Sequence, residues 1–128
     1  MTAAFDPSAY LAQLRERFVG KDPGRVPGKP RGKIIFCFRE ADGVHRATID
    51  IGRSSVGVRE GAYDDESEPC AFVLGSLADW LAFYEDGNKA RMGAIDFYGD
   101  LWLLKALPEL THQQLSPLAA RLSQTIPN

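Results

Sequence analysis

The stretch from Cys70 to Leu110 constrains this chain most, because it sets two strand signals and two helix signals in a fixed order. Cys70-Ala71-Phe72-Val73-Leu74 is a short apolar run with the length and content of a buried strand. Gly75-Ser76 breaks the run, and Ser76 followed three residues later by Asp79 predicts a helix N-cap. Leu77, Trp80, Leu81 and Tyr84 then fall at i, i+3, i+4 and i+7, one face of an amphipathic helix that Gly87 closes. A second strand, Ala94-Ile95-Asp96-Phe97-Tyr98, meets Gly99-Asp100, where Asp100 is expected to cap a last short helix over 101–107. Leu101, Trp102, Leu103, Leu104, Ala106 and Leu107 surround that helix, and Lys105 is its only charge. A helix apolar on every side is either fully buried or lines something apolar.

The chain before this stretch opens with a helix. Asp6-Pro7 supplies an N-cap and a proline at the first helical position, Leu11, Leu14 and Phe18 form a narrow apolar stripe, and Arg15, Glu16 and Arg17 are expected in water. Residues 21–33 are a Pro/Gly-rich connector carrying Lys21, Arg25, Lys29, Arg31 and Lys33. Ile34 to Arg39 reads as a strand apolar on both faces, and Ala41-Asp42-Gly43 as a hairpin turn of the Asp-Gly kind. In the next strand Ala47, Ile49 and Ile51 point inward and Arg46, Thr48 and Asp50 outward; Val56 and Val58 mark a shorter third strand. Asp64, Asp65, Glu66 and Glu68 make an acidic crossover without the spacing of a calcium loop. After Pro108, Thr111 with Gln114 offers a small capping box, but Ser116-Pro117 is the stronger helix start, with Leu118 and Leu122 on one face.

This order, a helix, three antiparallel strands, an acidic crossover, a strand, a helix, a strand and terminal helices, predicts an α+β fold. With 128 residues it is read as one domain. The parts are the N-terminal helix 1–20, the basic connector 21–33, the core 34–110 and the C-terminal helix 111–128.

Composition removes several function classes. A net charge of −2 gives no pull toward nucleic acid. The N-terminal residues lack a basic and an apolar region of a signal peptide, and no apolar run reaches membrane-spanning length. Cys37 and Cys70 make no disulfide framework and are expected as buried free thiols, so a cytoplasmic location is the default. His45 and His112 are the only histidines, placed at the start of a strand and of a helix. No zinc, phosphate-loop or dinucleotide motif is present, so neither a metal nor a cofactor is expected. Asp96, Tyr98 and His45 are the only members of a conceivable catalytic set, and the Asp96 face is expected to be wet.

From Gly32 to about Leu110 the chain resembles a sterol carrier protein type 2 domain of the free-standing, bacterial type. The matching features run in family order: the strand pair 34–39 and 46–51, the Asp42-Gly43 turn, and Val56-Gly57-Val58. Then come the strand 71–74 leading into Ser76-Leu77-Ala78-Asp79, the Gly87-Asn88-Lys89 segment, the strand from Ile95 to Gly99-Asp100, and the helix 101–107. The resemblance implies a five-stranded mixed, mostly antiparallel sheet with a crossover after strand three, helices covering an apolar cavity or tunnel, and non-catalytic binding, transfer or presentation of a fatty acid, fatty acyl-CoA, phospholipid, isoprenoid or sterol. Trp80 and Trp102 are bulky and weigh against long rigid ligands such as sterols, and the terminal Thr125-Ile126-Pro127-Asn128 is no peroxisomal address.

The residues expected to line the site are Leu77, Trp80, Leu81, Tyr84, Met92, Ile95, Phe97, Leu103, Leu104 and Leu107, with Leu118 and Leu122 on a C-terminal lid. Lys29 and Arg31 are the candidates for a lipid headgroup or an anionic membrane surface. The alternative is a small accessory module with a filled core that presents an apolar patch to a protein partner.

Overall fold

A computed structural model describes residues 6–62 and 67–113. Five strands form one sheet: β1 (Gly32–Glu40), β2 (Gly43–Ile51), β3 (Val56–Glu60), β4 (Cys70–Gly75) and β5 (Asp96–Gly99). The spatial order is β3-β2-β1-β4-β5. Neighbours are antiparallel except β1 and β4, which run parallel, as a strand entering by a crossover can. β1 sits at the centre, which is why it is apolar on both faces.

The register lays two apolar rows across the sheet. One runs Val58, Ile49, Ile34, Ala71 and Gly99; the other passes through Ala47, Phe36, Val73 and Phe97. The helices pack on this face. The opposite face carries a third row, Arg59, Thr48, Ile35, Phe72 and Tyr98. Ile35 and Thr48 in its middle are buried, and the Thr48 hydroxyl donates to the Gly61 carbonyl at 2.7 Å. Thr48 was expected in water; its central position and this bond explain the difference.

Helix α1 (Pro7–Phe18) starts as its sequence dictates, with the Asp6 carboxylate accepting from the Ala9 N–H at 2.8 Å. Its buried stripe is wider than expected, because Tyr10 joins Leu11, Leu14 and Phe18. Arg17 is not fully in water either. It reaches Glu85 at 2.7 Å.

Helix α2 (Leu77–Trp80) is capped by Ser76, whose hydroxyl accepts from the Asp79 N–H at 3.0 Å, and it widens at once into a π-helical turn, Leu81–Glu85. That widening aims Glu85 back at α1. The Tyr10 hydroxyl donates to Glu85 at 2.8 Å and accepts from the Trp80 indole N–H at 2.7 Å.

Two glycines are required by close approach. Gly99 has φ +83° and its missing Cβ would strike the Cys70 carbonyl, which accepts from the Asp100 N–H at 2.8 Å. Gly32 has φ +146° and stands equally hard against the Pro69 carbonyl. Each lets a strand end close on its neighbour.

Several boundaries differ from expectation. The apolar helix is a 3-10 turn, Leu101–Lys105, continuing into α3 (Ala106–Thr111), and Asp100 makes no side-chain cap. Pro108 does not end it, since it falls in the first turn of α3, where its missing N–H is not needed. His112 therefore closes a helix instead of opening one. The segment before β5 is a 3-10 turn, Lys89–Ala94, so β5 starts at Asp96 and not Ala94. The hairpin loop is Ala41-Asp42 with only Gly43 at positive φ (+133°), not the turn with both central residues left-handed that Asp-Gly favours. Cys37 and Cys70 are free but half-buried, and the β1–β4 register sets them four residues apart along the strands, about 13 Å. The helix predicted from Ser116, with Leu118 and Leu122, lies outside the described residues, as do Asp64, Asp65 and Glu66.

Replacing Tyr10 by Phe leaves the buried Trp80 N–H without an acceptor and Glu85 short of a donor. Urea unfolding of Tyr10→Phe is expected to show a loss of about 1–3 kcal/mol.

Candidate functional site

The helical layer and the β4–β5 half of the sheet meet along one apolar packing seam. Leu77, Trp80, Ile95, Leu103 and Leu107 are buried in the core cluster, while Leu81, Tyr84, Phe97 and Leu104 are half-buried and pack against it. Nine of the ten predicted lining residues among the described ones are thus brought together. Met92 is not. It is 52 % exposed on the 3-10 turn before β5.

Aromatic rings fix the seam's shape. Trp80 stacks on Tyr84 with ring centres 4.9 Å apart and planes within 9°, and it meets Phe36 edge-on at 5.0 Å. Phe83 bridges the layers, 6.0 Å from Trp80 and 5.9 Å from Phe97. Phe83 was missed in the sequence although it follows Trp80 by three residues, a helical spacing that marks it. Trp80 does take up interior space. Trp102, 47 % exposed, does not, and with Leu101 at 42 % it corrects the expectation of a helix wholly buried or lining an interior.

Polar groups gather at one rim. Arg17, Tyr84, Glu85, Pro108, Thr111 and His112 border an open groove of about 380 Å³. Burial pushes the Tyr84 hydroxyl up to about 12, against the opposing influence of the Thr111 hydroxyl. Tyr10 is pushed up too, first by burial and then by the negative charge of Glu85, although the Trp80 hydrogen bond pulls the other way. Both phenols therefore stay protonated at neutral pH.

The residues weighed as a catalytic set are not brought together. Asp96 and Tyr98 are exposed on the edge strand β5, and His45 is on β2, three strands away or about 14 Å. His45 pairs with Asp42 at 2.8 Å, and that hydrogen bond holds the imidazole above its ordinary range. Among the described residues, no three His, Cys, Asp or Glu side chains gather to hold a metal ion. No described helix is long and apolar enough to cross a membrane.

Lys29 and Arg31 line a second open groove, of about 450 Å³, together with Pro23, Pro30 and Arg53. Arg53 was not foreseen, because no local pattern links the β2–β3 turn to the connector. Within that connector, Lys33 belongs to β1 instead and sits between Asp50 at 3.0 Å and Glu68 at 3.1 Å.

The architecture defines a class of fold, that of sterol carrier protein 2. The crystal structure of Sterol Carrier Protein 2 Like 2 from Aedes aegypti matches with a TM-score of 0.57 at 22% identity, covering 93% of this chain and 94% of that one. The solution NMR structure of palmitated SCP2L2 from Aedes aegypti matches with a TM-score of 0.56 at 22% identity, covering 86% and 97%. No protein-family model and no curated protein sequence matches the chain.

The phenols yield a pH prediction. Tyr84 ionises near 10 when unfolded and near 12 when folded, so its contribution is intact below pH 10 and is lost as pH rises toward 12. Stability to urea should decline over that window, and Tyr84→Phe should make the decline shallower.

Proposed function

We propose that this chain binds one acyl-chain lipid, without chemistry, in the seam between the helical layer and the β4–β5 half of the sheet. The observation that carries this reading is the half-buried group Leu81, Phe83, Tyr84, Phe97 and Leu104. These are large apolar side chains packed inward on a sealed core, with their outer surfaces left for a further apolar body to cover. The shared fold with a palmitated protein supports the same class of ligand. The groove bordered by Arg17, Tyr84 and His112 offers the seam a polar mouth. Leu118 and Leu122 are proposed to complete the cover from the C-terminal segment.

A fatty acid, fatty acyl-CoA or phospholipid suits this seam better than a sterol. The Trp80–Tyr84 stack is held at the indole N–H by Tyr10, so it does not swing aside for a rigid ring system. A chain of about 16 carbons offers about 12 kcal/mol gross on burial. Association and ordering remove several kcal/mol, leaving affinity in the micromolar range or somewhat tighter. The separation of His45 from Asp96 and Tyr98 supports binding without catalysis.

The second reading is a module that presents an apolar surface to a protein partner. The exposure of Trp102 and of Tyr98, at 47 % and 56 %, favours it. One experiment separates the two readings. Leu104→Lys places a charge on the seam at a half-buried position and should weaken uptake of a fluorescent fatty acid by about tenfold or more, a difference of about 1.4 kcal/mol, with the folded state retained. A wild-type chain that takes up no fatty acid contradicts lipid binding and favours the partner module.

A further inference from the structure

Two open grooves flank the loop at residues 26–31 and share Pro30 as a common wall. Lys29, Arg31 and Arg53 line the first. Trp102 and Lys105 line the second, beside Pro27 and Gly28. An exposed indole therefore sits within one surface that also carries four exposed cations. Among the described residues none of these four is ion-paired, whereas Arg17, Lys33, Arg59 and Arg91 are each matched by a carboxylate. Glu109 is the one acid on either groove.

The arrangement is built into the backbone. Gly28 and Lys29 both take positive φ, +85° and +45°, and the Lys29 N–H donates to the Val26 carbonyl at 2.9 Å, so the turn projects Lys29 outward. Lys29 is the only non-glycine residue described with such a φ. On the other side, Gly24 is pressed against the Arg53 carbonyl, which any Cβ would meet at 3.0 Å. That contact holds the β2–β3 turn, and so Arg53, beside the loop. Pro27 and Pro30 limit how far the loop can rearrange.

We infer that the 26–31 loop, Arg53, Lys105 and Trp102 form a docking surface for an anionic phospholipid bilayer. This rests on the lipid-binding reading above and says where the chain meets the membrane that supplies or accepts its ligand. Exposed cations match the negative surface of such a bilayer. An indole with an apolar body and one polar N–H is suited to the headgroup level, and the exposed Leu101 beside it adds apolar surface. A nucleic acid strand would need several stacking platforms in succession, and Trp102 supplies one.

The test is co-sedimentation of the full chain with phosphatidylcholine vesicles, with and without phosphatidylserine, at low salt. The wild type should bind only the phosphatidylserine vesicles, release on added salt, and show a blue shift of emission that Trp102→Phe removes. Each of Lys29→Gln, Arg31→Gln and Arg53→Gln should weaken binding about fivefold, and the three together about a hundredfold. The triple Arg39→Gln, Arg46→Gln, Lys89→Gln, equal in charge but elsewhere, should leave binding within about twofold. Equal loss in both triples, or no preference for phosphatidylserine, overturns the docking surface. Uptake of a fluorescent fatty acid is read in parallel. A chain that takes up fatty acid yet ignores phosphatidylserine overturns this inference alone, and one that takes up none overturns the lipid-binding reading instead.

Discussion

A single chain of hydrogen bonds holds the helical layer to itself: Trp80 to Tyr10, Tyr10 to Glu85, and Glu85 to Arg17. α1 and α2 are far apart in sequence, so nothing local fixes their relation. The indole N–H is buried and must have an acceptor, and the Tyr10 oxygen is the one supplied. The Tyr10 hydroxyl in turn donates to the Glu85 carboxylate, whose charge is balanced by Arg17. The Trp80–Tyr10 end is buried and the Arg17–Glu85 end is exposed, so it is the removal of Tyr10 that leaves a partner unmade in a region of low dielectric. The π-helical turn at Leu81–Glu85 is what carries the carboxylate to its place.

The rest of the layer follows from that anchor. With Trp80 fixed, Tyr84 stacks on it, and Phe83 turns toward Phe97 on β5. The sheet meets this from below through Phe36 and Val73, in one register row with Phe97. β5 closes on β4 because Gly99 has no side chain to collide with the Cys70 carbonyl. Away from the seam, Gln113 pairs with both backbone groups of Asp22, at 2.6 and 2.8 Å. The end of α3 is thereby tied to the segment leading into the basic loop.

Much of this was legible in the sequence. Strand identities and the Asp6 and Ser76 caps follow from period, breakers and capping residues, whereas the mixed sheet is what the family resemblance implies. That nine of the ten candidate lining residues are buried or half-buried was readable because they alternate or recur on a face. What was not legible depends on distant partners. Tyr10 looked like an ordinary helix residue until Trp80 and Glu85 stood against it, although its spacing from Leu14 hinted at burial. Pro108 resembled a terminator, but a proline in a first turn breaks nothing. Arg53 joins Lys29 and Arg31 only through tertiary packing on Gly24. Trp102 was read as interior by its apolar neighbours, and a tight 3-10 turn instead left it outside. Runs of apolar residues say that burial is needed, not which members obtain it.

The seam, the ring stack and the rim of polar groups all bear on one claim, that an acyl chain occupies the space beside Trp80 and Tyr84. Native mass spectrometry of the purified chain, before and after addition of palmitate, tests it most directly. A one-to-one adduct is expected, either carried through purification or formed on addition, and Leu104→Lys should weaken it. A bare mass under both conditions, from a chain that is folded by its near-ultraviolet spectrum, would contradict it.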